Sequence, residues 1–189
     1  MLIDEDRVPV WVFGYGSLIW RPDLPFIERR AARITGWARR FWQASWDHRG
    51  TPESPGRVVT LIESPGGFLW GAAYAIAASD WPDVFPRLEH REQAGYRQLT
   101  LTAALAASDR AGDVVAEVPV VIFIGGADRP EFIGPEPLAT TAEIVRRSRG
   151  PSGDNADYVL ALDRALTDLG VRDPDVQALA ELIRPRVKA

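Results

Sequence analysis

The order of the secondary-structure signals is the feature that most constrains how this chain can fold. Short apolar runs of strand length fill most of residues 10–124, with one segment of helical spacing among them, and helical patterns fill the last third. A sheet followed by a helical tail is typical of an α+β domain, whereas regular alternation of strands and helices would predict a parallel sheet. We therefore predict an α+β fold with a curved or barrel-like sheet and a helical C-terminal part.

The limits of the elements follow from the local pattern. The predicted strands are 10–13, 31–45 with a bend at Gly36, 57–62, 68–76, 96–105 and 117–124, and the predicted helices are 79–92, 138–149, 158–169 and 173–187. In strand 96–105, Leu99 and Leu101 alternate with polar residues, which predicts that one face is buried. Pro86 removes a helical hydrogen bond, so we expect a kink in helix 79–92 or two short helical pieces.

Turn and cap residues separate these elements. A turn at 64–67, rich in glycine and proline, is expected to join strands 57–62 and 68–76. Ser79 or Asp80 is the expected cap of the first helix, and Asp154 or Asn155 that of helix 158–169. Gly170 is expected to end that helix.

Composition limits the class of protein. A length of 189 residues suits one domain, and we expect a single domain over 10–189 behind an N-terminal extension, 1–9. The net charge of −4 argues against nucleic acid as a partner, because nucleic-acid sites are basic. The chain lacks cysteine, which excludes disulfides, a thiol nucleophile and a cysteine zinc site. Its two histidines have no metal-ligand spacing, so we expect no metal site.

Targeting signals are also absent from the pattern. The acidic start of the chain, with Asp4, Glu5 and Asp6, does not resemble the basic and then apolar start of a signal peptide. No apolar run approaches the roughly 20 residues of a membrane span. We expect a cytoplasmic protein without a membrane partner, and the sequence indicates no protein partner.

The segment Gly14-Tyr15-Gly16-Ser17-Leu18 follows the first predicted strand. It begins like a dinucleotide-binding fingerprint, but Ile19 stands in place of the third glycine, and the same residue excludes a nucleophile elbow. Two residues without side chains let the backbone approach a ligand closely, and successive N–H groups in such a turn can bind an anion. A plain turn at the end of a strand is the alternative interpretation.

Acidic side chains gather where the first helix runs into a strand. Glu89 and Glu92 lie three residues apart and can share a helix face, with His90 between them. Charges at a helix end usually face water, which is the alternative for all three residues. A glutamate buried at the rim of an apolar barrel would have a raised pKa and could act as a general base.

A serine-type triad is a further possibility. Asp47 and His48 are adjacent, and Ser17 lies in the glycine-containing loop. Neighbouring aspartate and histidine side chains rarely orient each other as a triad requires, so this hypothesis is weak.

Taken together, these motifs resemble the ChaC family in order along nearly the whole chain. The matching segments are Val12-Phe13-Gly14-Tyr15-Gly16-Ser17-Leu18-Ile19-Trp20, Arg40-Phe41-Trp42-Gln43, Asp47-His48-Arg49-Gly50-Thr51-Pro52, Pro55-Gly56-Arg57-Val58-Val59-Thr60-Leu61, Trp70-Gly71, Arg91-Glu92 with Gly95-Tyr96, Phe132-Ile133-Gly134-Pro135, and Gly150-Pro151-Ser152-Gly153 with Asn155 and Tyr158.

The resemblance implies a gamma-glutamylcyclotransferase-like fold, a small mixed β-barrel with flanking helices. It implies cleavage of glutathione to 5-oxoproline and cysteinylglycine without a cofactor, with Glu92 as general acid and base. It also implies that the segment Val12, Phe13, Gly14, Tyr15, Gly16, Ser17 and Leu18 holds the γ-glutamyl group. Tyr96 and Tyr158 each follow a turn and carry a hydroxyl that can bond a carboxylate, so we add them as binding candidates, with core tyrosines as the alternative.

Two other functions stay open at this point. The same scaffold could act on a different γ-glutamyl amine, or it could bind γ-glutamyl ligands without catalysis. Glu92 favours an enzyme, because binding alone requires no base. Release of 5-oxoproline distinguishes an enzyme from a binding module.

Overall fold

The structure is a computed structural model that describes residues 8–91 and 96–184. Its elements in chain order are β1 (Val10–Gly14), a 3₁₀ turn (Ser17–Ile19), β2 (Glu28–Ser45), β3 (Gly56–Ile76), α1 (Trp81–Arg91), β4 (Tyr96–Ala106), β5 (Val114–Gly125), α2 (Leu138–Arg147), β6 (Arg149–Gly150), β7 (Gly153–Asp154), α3 (Asn155–Asp168) and α4 (Pro174–Ile183). The predicted α+β class is confirmed, because a five-stranded sheet precedes a helical C-terminal part. No helix in the described parts of the chain is long and apolar enough to cross a membrane.

The five long strands form one closed sheet. Their order is β1-β3-β2-β4-β5, and β1 pairs back to β5 in parallel through Trp11↔Val120 and Val12↔Val121. The other neighbouring pairs are antiparallel. Closure leaves β1 hydrogen-bonded on both sides, so the loop that follows Gly14 starts from a fixed point.

Strands β2 and β3 are longer than the sequence predicted. The turn expected at 64–67 does not reverse the chain, since β2 pairs with β3 on both sides of it, from Thr35↔Phe68 to Trp37↔Glu63. Gly36, with φ of 82°, lies opposite this bulge, and Gly66 has φ of 79°. The predicted bend at Gly36 is therefore a paired irregularity, in which glycines on both strands adopt a conformation that other residues avoid.

Helices differ from their predictions mainly at their starts. Helix α1 is one uninterrupted helix that includes Pro86, and not two short pieces. Helix α3 begins at Asn155, three residues earlier than predicted, and Asp154 stands at its N-cap without a side-chain cap bond. The Asn155 amide is engaged elsewhere, because it accepts from the Arg57 N–H at 2.6 Å and donates to the Arg57 carbonyl at 2.8 Å. Gly170 ends α3 with φ of 78°, as predicted.

The alternating pattern of β4 does not predict its burial. Leu99 is 37% exposed, and the buried residues of this strand lie in its last four positions. The reason lies in the sheet, because β4 pairs with β2 through Leu105 and Ala104, near its C-terminal end. The first half of β4 is therefore paired along β5 and lies beyond its pairing with β2.

One arginine lies inside this packing. Arg39 in β2 is only 2% exposed. Its Nε donates to the Tyr15 carbonyl at 2.8 Å and its Nη2 to the Trp70 carbonyl at 2.8 Å. Its Nη1 lies 2.5 Å from Asp173, the N-cap residue of α4, whose other oxygen accepts from the Val176 N–H at 3.3 Å. One guanidinium thus joins β2, β3, the loop after β1 and the start of α4.

We predict that Arg39→Met lowers the free energy of unfolding by about 3–5 kcal/mol, because it leaves a largely buried carboxylate and two carbonyls without their cation. Arg40→Met is the matched control, since Arg40 pairs with Asp175 at the surface, where an ion pair contributes about 0–1 kcal/mol. Urea denaturation of both variants measures the difference. Equal losses in the two variants would contradict a special role for Arg39.

Candidate functional site

Two adjoining cavities lie where the loop after β1 meets the ends of α1 and α3. The large cavity has a volume of about 360 Å³ and the small cavity about 50 Å³. Ser17, Tyr96 and Tyr158 line both cavities, so these three residues mark the passage between them. The larger volume falls within the range of small-molecule sites.

Different residues complete each wall. The small cavity is further lined by Phe13, Tyr15, Gly16, Leu18, Val59 and Phe123. The large cavity is further lined by Trp20, Arg21, Pro22, Asp23, Leu24, Gln43, Ala44, Ser45, Asp47, His48, Arg49, Val58, Val84, Arg87, Leu88, Arg91 and Ser152. Four of these are arginines and two are aspartates, so the charged side chains of the described large-cavity wall are predominantly cationic.

The 15–19 loop, which continues β1, has every one of its carbonyls engaged by the protein. Arg39 donates to the Tyr15 carbonyl at 2.8 Å, and the N–H of Ile19 donates to Gly16 at 3.0 Å. The Arg21 N–H donates to the Ser17 carbonyl at 2.8 Å. The Tyr74 hydroxyl donates to the Leu18 carbonyl at 2.7 Å and lies 3.2 Å from that of Ile19. Because the acceptors are occupied and the Ile19 N–H donates within the loop, the amide N–H groups of Gly16, Ser17 and Leu18 are the polar backbone atoms that this loop can offer a ligand.

Close packing explains the glycines of this loop. A Cβ at Gly16 would lie 3.1 Å from the Tyr158 hydroxyl and 3.2 Å from Val59 Cγ2. A Cβ at Gly14 would lie 2.6 Å from the Leu18 Cβ. A side chain at either position would therefore displace the wall of the small cavity or the loop itself.

Tyr158 projects from α3 between the two cavities. Its hydroxyl accepts from the Val59 N–H at 3.4 Å, and its ring meets Trp20 edge-on at 5.5 Å between centroids. The Arg49 guanidinium lies 5.7 Å from the same ring centroid. Helix α3 is held against β3 by the bonds between Asn155 and the backbone of Arg57, which fixes where Tyr158 emerges.

Arg91, the last residue of α1, connects that helix to the 15–19 loop. Its Nη2 donates to the Ser17 Oγ at 3.0 Å and its Nη1 to the Pro22 carbonyl at 3.1 Å. The chain leaves the described residues after Arg91 and returns at Tyr96, and both residues line the large cavity. Glu92, the predicted catalytic residue, lies outside the described residues. Its rivals Glu89 and His90 are exposed on α1.

The serine triad is not formed among the described residues. Ser17 Oγ accepts from Arg91, whereas His48 Nδ1 lies 3.3 Å from the Ser152 Oγ. His48 also approaches Asp47 at 3.7 Å, and both side chains are about half exposed. The two adjacent residues thus face the rim of the large cavity without a hydrogen bond to Ser17.

The predicted binding residues divide into two groups. Phe13, Tyr15, Gly16, Ser17 and Leu18 line the small cavity, and Tyr96 and Tyr158 line both cavities. Val12 and Gly14 are buried in β1 and line neither.

Sequence reasoning assigned no role to the arginines of the site. Arg49 and Arg91 belong to motifs that were recognised, but nothing in their spacing shows that they line a cavity. A signal for Arg39 did exist, because it alternates with Phe41 and Gln43 along a predicted strand, and all three are buried. A charged residue on an apolar strand face indicates a buried polar contact.

Comparison with known proteins decides the family. A family model described as ChaC-like protein matches residues 10–186. The chain belongs to the ChaC-like family. The glutathione-specific gamma-glutamylcyclotransferase of Saccharomyces cerevisiae is 32% identical over 207 residues, which cover 88% of this chain and 89% of that protein. Gamma-glutamylcyclotransferase 2-3 of Arabidopsis thaliana is 40% identical over 179 residues, 93% of this chain and 88% of that protein.

Two solved structures share the fold of this chain. A crystal structure of the yeast gamma-glutamyl cyclotransferase specific to glutathione has a TM-score of 0.85 and 31% identity, covering 93% of this chain and 96% of that one. A structure named gamma-glutamyl cyclotransferase has a TM-score of 0.54 at 15% identity, covering 95% of this chain and 90% of that one, which shows a shared fold alone. The chain therefore has the gamma-glutamylcyclotransferase-like α+β fold.

Proposed function

We propose that this protein cleaves glutathione to 5-oxoproline and cysteinylglycine. The observation that carries the proposal is its similarity, over most of its length, to enzymes named as glutathione-specific gamma-glutamylcyclotransferases, including the yeast structure with a TM-score of 0.85. We also propose that the fold is the small mixed barrel with flanking helices that the family resemblance implies. The pairing of β1 with β5, which closes the sheet, supports this.

The reaction is an internal aminolysis. The α-amine of the γ-glutamyl group attacks the γ-carbonyl, a C–N bond forms, the γ-amide C–N bond breaks, and the amine proton passes to the departing nitrogen. Because the nucleophile belongs to the substrate, the enzyme needs no cysteine or serine. Positioned intramolecular attack reaches effective molarities on the order of 10⁵–10⁸ M, so folding the glutamyl chain back is a large part of the task.

The small cavity and its 15–19 loop suit that folded γ-glutamyl group. A loop with occupied carbonyls presents N–H groups, which stabilise either the substrate's α-carboxylate or the oxyanion formed at the γ-carbonyl. Tyr96 and Tyr158 stand between the cavities, where their hydroxyls can bond the same group. The large cavity then receives cysteinylglycine.

Glu92 is the proposed general acid and base. It follows Arg91 directly and precedes Tyr96 by four residues, and these two flanking residues both line the large cavity. An α-amine has a pKa of roughly 7.7–8.0 and an ordinary glutamate about 4.3, so the base needs a raised pKa to be effective. Burial out of water would raise the pKa of a glutamate and so meet that requirement, against the opposing effect of nearby arginines.

Conversion of glutathione to 5-oxoproline by the purified protein tests the proposal. We expect turnover without nucleotide and unchanged turnover after chelator treatment, since the nucleophile and the proposed base are both organic groups. The readout is 5-oxoproline against a panel of γ-glutamyl amines. If 5-oxoproline forms from another γ-glutamyl amine and not from glutathione, glutathione is the wrong substrate. If it forms from none of them, the protein is a binding module and not this enzyme.

Glu92→Gln should lower turnover by about 10²–10⁴-fold while glutathione still binds, because it keeps the shape and removes the base. Glu89→Gln is the matched control, three residues earlier on the exposed face of α1. Single-turnover 5-oxoproline formation measures the chemical step, and calorimetry measures binding. If Glu92→Gln reacts like the wild type and Glu89→Gln does not, the base is Glu89.

Gly16→Val should block binding of glutathione in a folded protein, because its side chain enters the space beside the Tyr158 hydroxyl and Val59. Gly112→Val is the control, since a Cβ there meets no atom within 4 Å. Calorimetric titration with glutathione and circular dichroism separate binding from folding. A folded Gly16→Val protein of wild-type affinity would refute the role of this loop.

A further inference from the structure

Arg49 differs from Arg39 and Arg57, which are withdrawn from solvent and held by carboxylates. Arg33 is also half-buried without an ion pair in the described residues, but it lies over Phe68 and Trp70 and lines neither cavity. Arg39 is paired with Asp173, and Arg57 is paired with Glu136 at 2.9 Å. Arg49 is half-buried, yet no carboxylate of residues 8–91 or 96–184 lies within ion-pair distance of it. Its contacts are the Asp154 carbonyl oxygen at 3.1 Å and the Tyr158 ring face.

A cation in such a position is poorly compensated. Burial lowers the pKa of the Arg49 guanidinium, and nearby Arg21 adds to that effect. Tyr158 opposes it, as do the carboxylates of Asp157 and Asp154 from beyond ion-pair distance. Arginine remains charged in proteins, so the cost of burial is met by finding an anionic partner. The cavity that Arg49 lines is the place from which such a partner can come.

The loop that carries Arg49 is held rigidly. The Arg49 N–H donates to the Ser45 Oγ at 3.0 Å, and the Ser152 N–H donates to the His48 carbonyl at 2.9 Å. A Cβ at Gly50 would lie 2.2 Å from the Gly56 nitrogen, which shows how closely the loop is packed. The guanidinium is therefore positioned before a ligand arrives, which reduces the entropic cost of binding.

We propose that Arg49 binds the glycine carboxylate of glutathione and is the residue that selects glutathione among γ-glutamyl compounds. This inference rests on the proposed function. Glutathione carries two carboxylates, one on the γ-glutamyl group and one on glycine, and an arginine fork matches a carboxylate with two parallel hydrogen bonds.

The position of Arg49 assigns it to the glycine end. Arg49 lines the large cavity and not the small cavity, whereas the 15–19 loop lines the small one. Cyclisation requires the γ-glutamyl group to fold on itself, so both of its polar ends stay near that loop. The dipeptide extends away through the passage at Tyr158, on whose ring Arg49 is stacked.

The remaining arginines of the large cavity are already directed elsewhere. Arg21 pairs with Asp23 at 3.0 Å, and Arg91 lies 3.7 Å from the same carboxylate. Arg87 is exposed and donates to the Asp23 carbonyl at 3.2 Å. These three cations therefore gather around Asp23, and Arg49 is the cation on the opposite side, beside α3.

The test compares glutathione with glutathione amide, in which the glycine carboxylate is amidated. Wild-type protein should prefer glutathione by roughly ten- to a hundredfold in kcat/KM, the range expected for a hydrogen-bonded charge. Arg49→Gln should lose that preference by lowering kcat/KM for glutathione and leaving the amide unchanged. Arg49→Lys should retain part of the preference, because it keeps the charge without the fork.

Arg149→Gln is the matched control. Arg149 approaches the same Asp154, but it is 77% exposed on its side chain and does not line either cavity. Its removal changes the net charge equally and should leave the preference intact. An equal change in Arg149→Gln and Arg49→Gln would reduce the effect to long-range charge and overturn the proposal.

Other outcomes are equally decisive. An equal loss on both substrates would assign Arg49 to the γ-glutamyl carboxylate or to structure, and an unchanged preference would remove it from the site. If wild-type protein forms no 5-oxoproline, the proposed function fails, and calorimetric affinities of both ligands for the wild type and Arg49→Gln still test the inference. A preference for glutathione in binding that vanishes in the variant supports it, and equal affinities, or no binding, overturn it.

Discussion

The buried guanidinium of Arg39 is the interaction on which the geometry of the site depends. Arg39 is the cationic residue among the buried side chains of β2. Its three donor groups bond to the loop after β1, the backbone of β3 and the start of α4. Replacement of a buried ion pair by apolar residues is often neutral for stability, so the pair itself explains little of the fold's free energy. What Arg39 contributes is position, because three segments distant in sequence must meet around one planar group.

That arrangement also determines the polarity of the site. Arg39 and Tyr74 donate hydrogen bonds to carbonyl groups of the 15–19 loop. The N–H groups of Ile19 and Arg21 donate to the carbonyls of Gly16 and Ser17. A backbone whose acceptors are satisfied internally has only donors left, and donors suit carboxylates and oxyanions. Burial raises the pKa of Tyr74, which keeps its hydroxyl protonated and therefore able to donate to this loop. The framework thus presents neutral donors at the wall of the small cavity, where we propose that an anionic part of the substrate binds.

The sequence predicted the class of fold, the order of the elements and the loop that lines the small cavity. These succeed because strand periodicity, glycine and proline act locally. The predictions fail where residues distant in sequence determine the local structure. Asn155 bonds to the backbone of Arg57 and does not cap its helix. Leu99 is exposed because β2 does not pair with that part of β4. The place of Arg49 in the cavity wall could not be predicted for the same reason, whereas the alternation of Arg39 with Phe41 and Gln43 does indicate a buried contact.

The proposed assignment of the reaction to the small cavity and of the leaving group to the large cavity would separate catalysis from substrate specificity. Cyclisation needs only the γ-glutamyl group, and the neutral donors of the 15–19 loop can serve it whatever amine is leaving. Discrimination among leaving amines must then come from the large cavity, where charge is available and the reacting atoms are not disturbed by it. A cation held near the γ-carbonyl would stabilise an oxyanion, but it would also oppose protonation of the departing nitrogen. The contact that we propose for Arg49 lies beyond Tyr158, so it would attract the far end of the substrate and add no further charge beside the reacting atoms.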